Sequence, residues 1–366
     1  MKKPEIIKST ISAEILRGEN NPRNSEGDFS LLKNGSVLFA YSKYTGNDDS
    51  DDAACDIAGM ISTDSGKSFV HLPHLIATAK EHNTKNIMSV SLCRIPDGTL
   101  CLFYLTKFGS QSAVYLRRAT EDETHFGEAE LCVPLKRGIY YVMNNARICV
   151  TTEGKILLPL ARHKIITEKS GETHAVYFAT ACVFEGDSHG KNWKQISGVI
   201  SMPYPGHSQT GLQEPGIELL PDKRLYGYFR TDRMFQYESF SADNGKNWTR
   251  PVQSGFTSPD SPMLIRRNPF SGIYYAVWNP VPNYNGRNEP NGKWVNAGRT
   301  PFVIAQSENG IDFSEYIILE DEPNRGYCYP ALYFLNEKEM LLSYCCGGPD
   351  DGMCLTRTRI RKLTVK

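Results

Sequence analysis

The sequence shows no surplus of charge of either sign. Lysine plus arginine and aspartate plus glutamate both total 41, so no overall field draws the chain toward nucleic acid or an anionic membrane, and neither is expected as a partner. Also missing is any apolar run long enough to cross a bilayer. The N-terminal MKKPEIIKSTISAEIL has no stretch that could serve as a signal-peptide core, so the expectation is a soluble, cytoplasmic protein. The ten cysteines form no CxxC pair or other metal-ligand spacing, and several sit inside strand-like runs such as SLCRI and RICVTT. Buried reduced thiols and no metal are therefore expected. Sustained helical periodicity is absent too, which leaves short apolar runs and an all-β class.

What the chain has instead is turn-forming residues and repetition. With 30 Gly, 21 Pro and 40% hydrophobic residues it can combine tight turns with a sizeable core. One unit recurs: an apolar run, a tight turn, a second apolar run, a third, then a small polar loop ending in Trp or Phe. The second runs are SVLFAYSKY, TLCLFYLTK, KILLPLARH, RLYGYFRTD, GIYYAVWNP and EMLLSYCCG, several of them preceded by Asn-Gly or Asp-Gly as in Asn34-Gly35 and Asp97-Gly98. Such pairs signal hairpins, because primed two-residue turns need positive φ. Six hairpins at regular spacing predict a six-bladed β-propeller in one domain over 1–366. The sixth unit lacks a fourth strand, and the N-terminal run PEIIKSTISAEIL is expected to supply it and close the ring.

The polar loops carry the sharpest motif. Ser62-x-Asp64-x-Gly66-x-x-Phe69 and Ser241-x-Asp243-x-Gly245-x-x-Trp248 fit S-x-D-x-G-x-x-[WF], Ser307 to Phe313 is a shortened copy, and Ala119 to Phe126 and Gly186 to Trp193 are degenerate ones. They resemble the Asp-box of the sialidase superfamily. Their logic is local: Ser and Asp satisfy turn amides, Gly takes a conformation other residues avoid, and the ring packs between strands.

In a propeller the innermost strand of each blade borders the axis. Polar residues crowd the starts of the six candidate inner runs, so Arg23, Glu26, Asp28, Asn86, Asn144, Asn145, Glu214, Asp260 and Tyr329 are expected at one mouth. With this order of residues the chain resembles the bacterial sialidase-like BNR-repeat family over nearly its whole length. The resemblance implies an exo-acting glycoside hydrolase with a tyrosine nucleophile, Tyr329, whose base is Glu214. It implies Arg230 and Arg299 as two of three arginines holding a substrate carboxylate, with Arg23 as the third unless Glu26 occupies that place. The acid/base is then Asp51 or Asp52 in the loop TGNDDSDDAACDIAGM, whose oxygen spacing does not match a calcium loop. Asn144, Asn145, Arg147 and His207 are candidate substrate hydrogen-bonders.

The chemistry is consistent with a neutral phenol attacking a carbon that bears a carboxylate, where an anionic nucleophile would be repelled. The implied partner is a small-molecule or glycan substrate with a carboxylate, and no cofactor is needed. Two other readings stay open: a hydrolase or lyase acting on another acidic sugar such as a uronate, and a non-catalytic carbohydrate-binding propeller.

Overall fold

The hairpins form where the second runs place them. In the computed structural model, which describes residues 4–281, 297–313 and 315–366, Asn24–Leu31 pairs with Val37–Tyr44 and Asn86–Arg94 with Leu100–Phe108, both antiparallel. The turn type differs from the expected one. Gly35 and Gly98 take φ of 84° and 89° while Asn34 and Asp97 do not enter the left-handed region. Leu32 N donates to Ser36 O and Gly35 N to Leu32 O, a pattern repeated at Ile95–Thr99. These are three-residue loops with a left-handed last residue, so one positive φ suffices where the primed turn needs two.

Strands are joined into antiparallel meanders. One runs Gln213–Leu219, Leu225–Arg230, Phe235–Ser241, Val252–Thr257; the next runs Leu264–Arg267, Tyr274–Trp278, Phe302–Ser307, Tyr316–Glu320. The meander that starts at Asn24–Leu31 and the one that starts at Asn86–Arg94 count as one eight-stranded sheet only through a single parallel bridge, Cys55 to Asn86. The last sheet contains Cys328–Phe334, Glu339–Cys345 and Thr358–Val365, and its fourth strand is the N-terminal Ile6–Ile15, antiparallel to Thr358–Val365. The molecule is all-β. Among the described residues helix is confined to short 3-10 turns such as Ala79–His82, and no helix is long and apolar enough to cross a membrane.

The polar loops act as turn locks. Ser62 Oγ donates to Asp64 Oδ1 at 2.8 Å and accepts from Gly66 N, while Asp64 Oδ1 also accepts from Ser68 N. Ser241, Asp243, Gly245 and Asn247 repeat the arrangement. The ten cysteines are free thiols, Cys93 half-buried and the rest buried.

Apolar side chains fill the spaces between neighbouring meanders. One cluster joins Phe39 and Tyr41 of the first to Leu341 and Leu363 of the last, and another joins Tyr44, Phe103 and Leu158 from three successive meanders. First strands of neighbouring meanders also touch, Asn24–Leu31 against both Asn86–Arg94 and Cys328–Phe334.

Candidate functional site

Four of the first strands are broken by a bulge near their start. Glu26, Ser89, Glu214 and Tyr329 take φ of 56°, 61°, 45° and 53°, and each falls in a register shift: Ser25/Asp28, Met88/Ser91, Gln213/Gly216 and Cys328/Ala331. Ala146, with φ 53°, occupies the corresponding place in the third unit. A left-handed conformation is costly for residues with a Cβ, and here it recurs at equivalent positions of several meanders. The bulge re-aims the side chain out of the sheet. Close packing behind it demands glycine at two points: a Cβ on Gly27 would lie 2.3 Å from the Phe39 ring, and one on Gly216 only 2.1 Å from that of Tyr228.

Four of these residues meet in a cavity of about 350 Å³, lined also by Asp51, Lys107, Tyr140, Asn144, His163, Tyr177, Gln213, Arg230 and Arg299. Tyr329 Oη donates to Glu214 Oε1 at 2.9 Å, and Arg230 Nη1 donates to the same oxygen at 2.8 Å. Arg230 Nε reaches Asp260 Oδ1 at 2.6 Å. The second oxygen of Glu214 is buried without a partner. Burial and the negative charge of Glu214 push the Tyr329 hydroxyl well above its ordinary value, against the pull of Arg230 and Arg299, so the phenol is neutral at rest. Arg299 lies with its guanidinium carbon 5.8 Å from the Tyr329 ring and donates to Cys328 Sγ at 3.2 Å.

The acidic loop enters from the first meander. Asp51 Oδ1 sits 2.6 Å from Arg23 Nη1, and its carbonyl accepts from Lys107 Nζ at 2.5 Å and from Asn86 Nδ2 at 3.1 Å. Burial tends to raise this carboxyl, but Arg23 and Lys107 hold it down to about 2. Because 66% of the side-chain surface is open, the depression rests on the Arg23 contact and is softened by solvent. Asp52 turns outward, 83% exposed, to meet Lys107 at 3.2 Å, and does not line the cavity.

The sequence-derived candidates therefore divide. Tyr329, Glu214, Arg230, Arg299, Asp51 and Asn144 share the cavity, and Glu26 lines it while Arg23 does not. Arg23 is 1% exposed and lies behind the wall, bound to Ser25, Glu26 and Asp51. Asn145 is a brace: its amide donates to Gly27 O at 2.9 Å and to Tyr329 O at 3.4 Å, tying two bulges together. Arg147, which follows the left-handed Ala146, points away from the cavity, to Met263 O at 2.7 Å and the Tyr228 hydroxyl. His207 is exposed in a 3-10 turn, Pro205–His207, outside the cavity lining. Asp28 is likewise displaced by the register shift at Glu26: it caps Phe29 N and Leu92 N and lines a different cavity.

Lys107, Tyr140, His163 and Tyr177 were not foreseen. Lys107 and His163 end the second runs TLCLFYLTK and KILLPLARH, and that shared placement was an available signal. Tyr177 is carried by the long hairpin Ile156–Thr167 and Thr173–Gly186, which extends well beyond the repeat unit. Among the described residues no cluster of three or more His, Cys, Asp or Glu could hold a metal ion.

In comparison with known proteins, the description "BNR repeat-like domain" matches residues 36–340. No curated protein matches the chain in sequence. Solved structures share the fold at low identity. A Dyadobacter fermentans protein of unknown function superposes with a TM-score of 0.71 at 16% identity, covering 99% of this chain and 100% of its own. A leech intramolecular trans-sialidase complexed with 2,7-anhydro-Neu5Ac gives 0.69 at 12%, covering 98% and 70%. The intramolecular trans-sialidase from Ruminococcus gnavus in complex with oseltamivir carboxylate gives 0.69 at 12%, covering 98% of both chains.

Proposed function

The chain belongs to the BNR repeat-like domain family, and from that premise we propose that it is an exo-acting retaining glycoside hydrolase on a terminal acidic sugar, built as one six-bladed propeller over 1–366. The pairing of the N-terminal strand with Thr358–Val365 and the apolar packing of first against last meander support a closed ring.

The observation that carries the reading is the Tyr329–Glu214–Arg230 triad, in which one carboxylate oxygen accepts from both the phenol and the guanidinium. In the first step the Tyr329 oxygen bonds to the anomeric carbon as its proton passes to Glu214. The bond to the leaving oxygen breaks, and Asp51 gives that oxygen a proton. In the second step Asp51 takes a proton from water, which displaces the tyrosyl oxygen, and Glu214 returns the proton to Tyr329. Both steps conserve protons and electrons, and the anomeric configuration is retained.

The contact between Asp51 and Arg23 keeps the acid ionised at rest. Substrate entering beside Asp51 must loosen that pair for the acid to be charged with a proton. Arg299 and Arg230 supply the guanidinium groups for the sugar carboxylate. The bound molecules in the two trans-sialidase relatives are in keeping with a carbohydrate-shaped pocket on this fold.

Purified protein assayed against aryl sialosides and aryl hexuronides tests the reading. Release of the aryl group that disappears in both Tyr329→Phe and Glu214→Gln supports it. Sugar binding with no turnover, unaltered in both variants, would instead mark a carbohydrate-binding propeller.

A further inference from the structure

The reaction proposed above leaves Glu26 and Ser89 without a part, yet both lie on the cavity wall at bulges equivalent to those that carry Tyr329 and Glu214. Glu26 is 4% exposed; its Oε1 accepts from Arg23 Nη2 at 2.8 Å and its Oε2 from Ser89 Oγ at 2.6 Å. Arg23 is spent on this wall. Its guanidinium packs on the Tyr44 ring at 4.3 Å and meets two carboxylates, Glu26 and Asp51. At this flank the cavity therefore offers hydrogen-bond acceptors, and among the described residues its cations are engaged: Arg23 by Glu26 and Asp51, Lys107 by the Asp51 carbonyl and Asp52.

The other flank is the reverse. Arg230 is matched by Glu214 and Asp260. Arg299 meets the thiols of Cys328 and Cys354 and the carbonyl of Asp260, forms no ion pair among the described residues, and keeps a buried Nε without a partner. Tyr329 stands between the flanks, with Arg299 on one side and, through the Asn145 brace, the Gly27 backbone on the other. Deeper in the wall, Asn144 keeps an unpartnered buried Nδ2 that can donate to a sugar oxygen.

We infer that Glu26, held by Ser89 and Arg23, is the specificity-determining group of this cavity. It accepts hydrogen bonds from sugar hydroxyls and repels a carboxylate on the reacting carbon, so the substrate class is a glycoside of a hexuronic acid and not of a 2-ulosonic acid. In a 2-ulosonic acid the carboxylate is borne by the carbon that Tyr329 attacks, so it has to be held beside the phenol, where Arg23 and Arg230 are each already matched by two carboxylates and Glu26 lines the wall. In a hexuronide the reacting carbon carries only hydrogen, its neighbour carries a hydroxyl, and the carboxylate lies across the ring oxygen, where Arg299 can receive it. An acceptor lined up with a hydroxyl discriminates strongly, because the wrong substrate leaves buried polar groups unpaired or like charges opposed.

The inference rests on the glycosidase reading, and the test separates the two. Aryl hexuronides and an aryl sialoside are compared as substrates for the wild type, Glu26→Gln and Ser89→Ala. The expected wild-type kcat/KM is about 100-fold higher for a hexuronide. Glu26→Gln should narrow that preference roughly 10-fold, chiefly through KM, and Ser89→Ala should move it the same way by less. A wild-type preference for the sialoside, or an unchanged ratio in Glu26→Gln with thermal unfolding intact, overturns the inference and leaves the Tyr329 chemistry standing.

If neither class is cleaved, the glycosidase reading fails, and calorimetric titration with free glucuronate and N-acetylneuraminate decides the inference. Tighter glucuronate binding that Glu26→Gln weakens supports it. Equal binding, or none, overturns it.

Discussion

The same inner strands end in two cavities of opposite character. Their first residues, Glu26, Ser89, Glu214 and Tyr329, line the smaller one, of about 350 Å³; their later residues, Asp28, Leu92, Glu218 and Leu332, line one of about 1180 Å³. The larger has apolar walls such as Phe29, Ile148 and Leu220, and two buried acids near Arg266, with Glu218 at 3.6 Å from it. The smaller has a phenol, a carboxylate and a guanidinium sharing one oxygen. Size does not locate the chemistry. What distinguishes the small cavity is the row of left-handed bulges, where backbone strain is accepted to turn reactive side chains inward.

The comparison is sharpened by changing one end at a time. Tyr329→Phe is expected to reduce kcat/KM by about 1000-fold or more with thermal unfolding unchanged, since it removes the oxygen proposed as nucleophile and one hydrogen bond. Arg299→Ala, at the same end, should raise KM for acidic substrates by roughly 100-fold with a smaller effect on kcat, because it removes a cavity guanidinium that forms no ion pair among the described residues. Steady-state kinetics on a soluble substrate reads both. Equal losses from Glu218→Gln would erase the distinction between the ends.

Glu218 should instead report on stability. Burial, only partly offset by Arg266, pushes its carboxyl up to about 7 from an ordinary 4.5. The folded state thus holds the proton more firmly than the unfolded chain. The stability this supplies is full below the ordinary value and is lost as pH rises through 7. Glu218→Gln removes that loss, so relative to wild type the variant should gain on the order of 2 kcal/mol between pH 4.5 and pH 8 in denaturant titrations. Activity within about twofold of wild type is expected. The smallest effect belongs to the rim: Asp243→Ala strips acceptors from the Gly245 turn and should cost about 1 kcal/mol, with kcat/KM unmoved.

Much of this was legible before coordinates. Gly35 and Gly98 between apolar runs marked hairpins, and the spacing of S-x-D-x-G loops marked the repeat, because turn chemistry is local and needs no tertiary partner. Glu214 and Tyr329 were legible through position in the repeat, Arg230 and Arg299 only through the family resemblance. Arg147 and Asp28 lie off the cavity because each follows closely on a left-handed residue, Ala146 or Glu26, that turns the chain; nothing in the letters Asn-Ala-Arg or Glu-Gly-Asp announces such a turn. The choice between Arg23 and Glu26 stays open in the letters because the ion pair of Arg23 with Asp51, across a hairpin, depends on loop geometry. Tyr177 was hidden for the same reason, carried in by an extension of a hairpin beyond its repeat.

The central claim is that the phenol of Tyr329 becomes covalently bonded to the sugar. Incubation with activated fluoro-glycosides of both acidic sugar classes, followed by intact-mass measurement and peptide mapping, tests it directly. The account predicts one glycosyl adduct on the peptide containing Tyr329, and none in Tyr329→Phe. An adduct on Glu26 or Asp51, or steady turnover with inverted anomeric configuration and no adduct, would contradict it.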